Sequence, residues 1–166
     1  YHMTCPVHFR HGCSTTRDGL WVFAMVGRAA SRHTRYTDLA LSYAAAGPFT
    51  RMYFYEAAAV SLACVPSGYG GVQTVIPAKG IMVDGITPVE GLFTAEMAHA
   101  TTGIDAGQAS LLVNRLLERY EHRIEEPPLG KQYQECHNLQ TRQPSEAYAR
   151  LRDDVKEELI QMGIPF

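Results

Sequence analysis

With 166 residues, the chain has room for one domain or for a portion of a larger one. Hydrophobic residues at 46% supply a packed core and exclude a disordered chain. A net charge of -2 leaves no broad basic face, which argues against nucleic acid as a partner.

The first stretch of note runs from Thr4 to Trp21. It reads as an extended run through Val7 and Phe9, a turn at Gly12, and a helix from Thr15 or Thr16 to about Ser31. Thr15 and Asp18 have the spacing of a capping box. Leu20, Phe23, Ala24, Gly27, Ala30 and Ser31 recur at helical intervals, with Arg28 and Arg32 off that stripe. A polar link leads to a second strand over Asp38–Ala45. Gly47-Pro48 then opens a helix in which Met52, Tyr55, Glu56, Ala59, Val60 and Ala63 share one face. Val72–Ile76 reads as a third strand, and Ile81–Asp84 as a strand or an ordered loop. Thr87-Pro88-Val89-Glu90 is a strong helix start. Asp105 and Gln108 repeat the capping pattern ahead of Leu112, Leu116, Leu117 and Tyr120. The segment after Pro127-Pro128 is polar as far as Gln143. The last helix starts near Ser145 and stops at Gly163 with Ile164 beyond it, the pattern of a Schellman motif.

Strand then helix, three times over, implies parallel strands under covering helices. Three strands cannot close a barrel, and a lone three-stranded sheet leaves two bare edges. The start at Tyr1-His2-Met3-Thr4 enters a strand almost at once. The reading is therefore the C-terminal portion of a larger α/β barrel: residues 1–129 form its closing units and 130–166 a C-terminal helical extension. No apolar run approaches the ~20 residues needed to cross a bilayer. There is no signal-peptide layout, and four cysteines (Cys5, Cys13, Cys64, Cys136) fit reduced thiols in a cytoplasm.

Several side chains can carry chemistry. Cys5, His8, His11 and Cys13 have the types of a zinc set, but alternation along a strand would separate them. His8 and Arg10 would then face a pocket or barrel interior, with Cys5 packed as a small apolar group. The turn from Gly12 to Arg17 offers a glycine, three hydroxyls, an arginine and free helix amides. It reads either as an anion cradle or as simple capping. Tyr43 and Gln73 end the second and occupy the third strand, where a phenol and an amide could reach a site at the C-terminal rim. Glu56, on an apolar stripe, calls for a partner such as Arg10. Asp84 before Gly85 fits a turn acid as well as a catalytic one.

Taken together, Cys5-Pro6-Val7-His8-Phe9-Arg10, Ser14–Trp21, Met25–Arg32, Tyr43–Pro48, Tyr55–Ala58, Ala95–Ala100 and Gly130–Cys136 resemble the C-terminal part of the monomethylamine methyltransferase family of methanogenic archaea. The resemblance implies a (β/α)8 TIM barrel that moves the methyl group of methylamine to the cobalt of a cognate corrinoid protein, releasing ammonia in methanogenesis. It also implies a pyrrolysine, expected upstream of Tyr1, whose imine captures the amine. This chain would then hold no cofactor of its own and be inactive alone, and a homo-oligomer is expected. By the same resemblance Tyr43 is the candidate catalytic hydrogen-bond donor, and Gln73, His8 and Arg10 are candidate substrate-binding residues. Leu41 departs from the pattern by being apolar where an amide would face the pocket. Two other readings remain at this point: another barrel enzyme binding an anion at the Gly12–Arg17 turn, or a His/Cys metal-binding or assembly module.

Overall fold

The computed structural model describes residues 1–166. Its order is β1 (His2–Thr4), α1 (Arg17–His33), β2 (Asp38–Ala40), α2 (Arg51–Cys64), β3 (Gly71–Val72), α3 (Pro88–Ala100), α4 (Ala106–Tyr120), α5 (Tyr133–Cys136) and α6 (Glu146–Gln161). The strands form one parallel sheet in the order β1-β2-β3, with Met3 opposite Leu39 and Leu39 opposite Gly71. The chain is thus an α/β fold, as its alternation required.

The strands are shorter than the sequence suggests. β1 ends at Thr4 and does not run on through Val7 to Phe9, because Pro6 has no amide to give the ladder. The chain turns at Phe9–His11 and leaves Phe9 wholly exposed. β2 forms a regular ladder only to Ala40, then regains pairing at Tyr43, which bridges Ile76. Ala40 pairs with Val72, so β3 carries one more residue than β2 before the bridge, the signature of a bulge. Ile81–Asp84 is irregular, with Ile81 and Val83 in solvent.

Helix ends follow their local chemistry more closely. Thr16, not Thr15, caps α1 by accepting from the Gly19 amide at 3.1 Å. Thr50 caps α2, so the helix starts three residues after Pro48, beyond Phe49, whose φ of +61° lies in the left-handed region. The expected reciprocal box at α3 is present: Val89 N donates to Thr87 Oγ1 at 3.2 Å, and Thr87 N to Glu90 Oε2 at 2.7 Å. At the end of α6, Ile164 N donates to Leu159 O and Gly163 N to Ile160 O, completing the Schellman motif around Gly163.

α2 is the centre of the helical layer. Every residue from Met52 to Cys64 is buried, because α1, α3, α4 and α6 surround it. The three-four stripe read from its sequence therefore understates it; a helix apolar all round belongs in the interior. Along β2, Asp38, Ala40, Ser42 and Ala44 are buried against this layer, while Leu39, Leu41 and Tyr43 are only partly covered. The narrow face of α1 is used as expected: a Cβ on Gly27 would run into the ring of Tyr69.

The segment after Pro128 folds back onto the same core. Gly47 N donates to Pro128 O at 2.9 Å and Lys131 N to Pro48 O at 3.1 Å. The Tyr148 ring lies 4.9 Å from Phe49 and 6.1 Å from Phe54, and Val155 and Leu159 join the core cluster. A side chain on Gly47 would overlap the Leu129 carbonyl, where no rotamer change can relieve it. Gly47→Ala should therefore destabilise the chain by about 1–3 kcal/mol or more. The midpoint of urea unfolding measures it, and an unchanged midpoint would mean that the extension does not press on this turn.

Candidate functional site

The loops that leave the C-terminal ends of the three strands meet around one buried carboxylate. Glu56, on α2 and 0% exposed, accepts from the Ala45 amide at 2.7 Å through Oε1 and from the Ala46 amide at 2.9 Å through Oε2. Thr15 Oγ1 donates a further, short bond to Oε1. Burial pushes the Glu56 carboxyl up to about 7, against the pull of those three donors and of the Lys79 charge. The expected partnership with Arg10 is not made. Arg10 stands in solvent, 3.4 Å from Glu125, and Glu56 is satisfied by neutral donors.

Tyr43 lies two residues before Ala45, the first of the two amides that bond this carboxylate. Its backbone exchanges two bonds with the loop after β1: Ser14 N donates to Tyr43 O at 2.8 Å, and Tyr43 N to Ser14 Oγ at 3.1 Å. The half-buried phenol ring packs on Gly80, where a Cβ would come within 2.9 Å of it. Gly80 must be glycine twice over, for that contact and for its φ of +74°. Ala78 and Lys79 before it are also left-handed, at +49° and +58°. Consecutive non-glycine residues in that region are strained by roughly 1–2 kcal/mol each. They are held there by two bonds to the loop after β2, from Ala78 N to Ala46 O and from Lys79 N to Ala44 O, both 2.8 Å.

Lys79 is the rim residue that sequence reasoning did not name. Nothing in Pro77-Ala78-Lys79 announces a left-handed turn, and Gly80 is the sole local signal. The turn brings the lysine stem within van der Waals reach of Gly12.

The other expected site residues lie apart. Gln73 is exposed at the open side of β3, in a shallow cleft with Thr74, Gly91 and Thr94; its backbone N–H donates to Ala40 O at 2.9 Å. His8 and Arg10 belong to the loop after β1 rather than to a strand face, because the strand has already ended. The His8 and His11 rings lie 4.6 Å apart in a cleft of about 340 Å³ shared with Arg17, Asp18 and Glu121. Cys5 is exposed instead of packed, Cys13 is buried, and no group of three His, Cys, Asp or Glu side chains is placed to hold a metal ion. Burial pushes the Cys13 thiol up, which keeps it protonated rather than nucleophilic.

The side chains of the Gly12–Arg17 turn are engaged within the chain. Ser14 Oγ accepts from the Tyr43 amide, the Thr15 hydroxyl donates to Glu56, and Thr16 Oγ1 caps α1 by accepting from Gly19 N. Arg17 bonds Glu121 at 2.7 and 3.2 Å and Asn114 at 2.6 Å. Capping is what the turn does. Asp84 likewise occupies a turn, with its side chain accepting from Gln134 Nε2 at 2.6 Å.

Residues 1–164 match the family described as monomethylamine methyltransferase MtmB. Monomethylamine methyltransferase MtmB1 of Methanosarcina barkeri and MtmB of Methanosarcina mazei are each 32% identical to the chain, over all of it and 36% of their own length. The crystal structure of the Methanosarcina barkeri monomethylamine methyltransferase (MtmB) superposes with a TM-score of 0.97 at 31% identity, again over the whole of this chain and 36% of that one. A crystal structure of the hydroxylamine MtmB complex matches equally well. The chain thus spans little more than a third of the length of these relatives. With the match running through β1, the Tyr43 rim and the C-terminal extension alike, this chain belongs to the monomethylamine methyltransferase family.

Proposed function

We propose that the chain is the closing portion, residues 1–129, of a (β/α)8 barrel with a C-terminal extension, residues 130–166, in a methyltransferase acting on monomethylamine. The observation that carries this reading is the family match over residues 1–164. The geometry supports it independently. Crossovers in parallel sheets are right-handed, so a strand order of β1-β2-β3 without reversal puts successive helices on one side. A doubly wound sheet would reverse direction and cover both faces. Here Leu39, Leu41 and Tyr43 line a face without a second helical layer, and β1 and β3 are open edges. Both features suit strands that continue into a barrel.

In this reading the C–N bond of the protonated amine breaks, the methyl group passes to cobalt(I), and nitrogen keeps the electron pair and leaves as ammonia. A pyrrolysine imine and a corrinoid on a cognate protein supply the capture of the amine and the nucleophile. The residues of this segment supply the wall against which the amine is held. No hydrogen bond within the chain uses the Tyr43 hydroxyl, so it is free to engage a nitrogen-bearing group at the rim. Leu39 and Leu41 beside it keep that wall apolar, so one well-placed hydrogen bond counts for more than it would in water. Gln73, His8 and Arg10, which lie apart from Tyr43, would act on substrate only from outside this wall. Cytoplasmic placement fits a chain in which no helix is long and apolar enough to cross a membrane. An apolar cleft of about 430 Å³ between α1 and α4, beside the exposed Trp21, supports a homo-oligomer.

The test is methyl transfer by the full-length protein from monomethylamine to a cobalt(I) corrinoid protein, followed by the absorbance of methylcobalt. Transfer is expected; none with any methylamine would overturn the reading. In that assay Tyr43→Phe should slow transfer by roughly 10- to 100-fold. Arg10→Ala, which removes an exposed ion pair worth at most about 1 kcal/mol, should leave the rate within about twofold.

A further inference from the structure

We propose that Glu56 is a positioning residue for the rim: from helix α2 its carboxylate ties the loop after β1 to the loop after β2, and so fixes where the Tyr43 phenol stands. The proposal rests on the functional reading above for what Tyr43 does, but on geometry alone for how it is held. Thr15 reaches the carboxylate from one loop, and the Ala45 and Ala46 amides from the other. Tyr43 lies two residues before Ala45 and is itself bonded to Ser14, the neighbour of Thr15. Between the two ties the chain has no freedom to slide. The third loop is added through Ala78 and Lys79, whose amides bond the Ala46 and Ala44 carbonyls. Tyr120, on α4, closes the arrangement from behind by donating to Thr15 O at 2.7 Å.

The Ala45 and Ala46 amides can only donate, one to each carboxylate oxygen, whereas the Thr15 hydroxyl can turn to donate or accept. Replacement of the carboxylate by an amide sets an N–H against one of the two backbone amides and opens that tie. The titratable groups facing it are Cys13 from the loop after β1, Tyr53 from its own helix, Tyr120 from α4 and Lys79 from the loop after β3. Burial holds the thiol and both phenols above their ordinary values, leaving Lys79 as the one charged neighbour of these four near neutral pH.

The experiment compares Glu56→Gln and Thr15→Val with the wild type in the full-length protein. Two readouts are used: kcat and KM of methyl transfer, and amide hydrogen exchange at Ala45 and Ala46. Glu56→Gln should lower kcat by roughly 10- to 100-fold and leave KM for monomethylamine within about threefold. Exchange at the two amides should rise at least about tenfold, while α6 is unchanged. Thr15→Val keeps both amide ties, so it should give a smaller loss of kcat. Wild-type exchange in Glu56→Gln, or a wild-type rate, overturns the proposal. If Glu56→Gln does not fold, a wild-type rate in Thr15→Val overturns it. Should no variant or wild type transfer methyl groups, the functional reading falls, and exchange still decides whether the tie exists.

Discussion

A carboxylate taken out of water must be repaid with hydrogen bonds or a counter-charge, and so must a loop amide that has no strand to pair with. In this chain the two needs are met by each other. The backbone leaving β2 passes under α2 with the amides of Ala45 and Ala46 unpaired by the sheet, and Glu56 is the acceptor for both. Ala44, Ala45 and Ala46 are all fully buried, and only residues of that size let the loop lie so close to the helix. Because burial raises the Glu56 carboxyl from its ordinary 4.5 to about 7, the folded chain holds a proton there that an unfolded chain would have released. The group's contribution to stability is thus fullest below about 4.5 and declines as pH rises through 7. Ionising this carboxyl works against the stability of the fold, because its hydrogen bonds offset only part of the cost of burial.

The direction of winding follows from equally simple constraints. Each strand pairs with the next in sequence, each crossover returns on the same side, and the helices accumulate in one layer with α2 at its centre. α2 is apolar over most of its circumference, and its polar groups divide by direction: Ser61 returns its hydroxyl to Ala57 O at 3.1 Å, and Arg51 and Tyr55 turn outward to Glu158 on α6. Glu56 and Tyr53, which donates to Val75 O at 2.8 Å, are the side chains of this helix that reach toward the ends of the strands, and Glu56 alone of the two is a carboxylate.

Features set by a few neighbouring residues were legible in the sequence. The box at Thr87–Glu90, the Schellman stop at Gly163 and the apolar stripe of α4 depend on local spacing, and all are present. Features set by what lies opposite were not. Val7 and Phe9 carry a strand pattern, but Pro6 has already ended the ladder, and with it any strand-face role for His8 and Arg10. Thr15 and Thr16 compete for one cap on equal local terms; Glu56, 41 residues away, takes Thr15 and leaves the cap to Thr16. Lys79 went unnamed for the same reason. Its left-handed backbone is imposed by carbonyls of the loop after β2, which no window along the sequence contains.

Tyr43 stands where these local and distant constraints meet. Its position at the end of a strand was readable from alternation, but what places its ring is Gly80, reached through a turn that only the folded chain defines. A phenol fixed on both sides in this way loses little freedom when it makes a hydrogen bond, and the leucines next to it keep its surroundings apolar. Under the proposed function, precise placement of a single polar group on an apolar wall is what the reaction would need, since methylamine offers one nitrogen to hold. Precision of that kind cannot come from the tyrosine's own short strand, whose regular pairing ends three residues earlier at Ala40. It has to be supplied from behind, by the helix that carries Glu56.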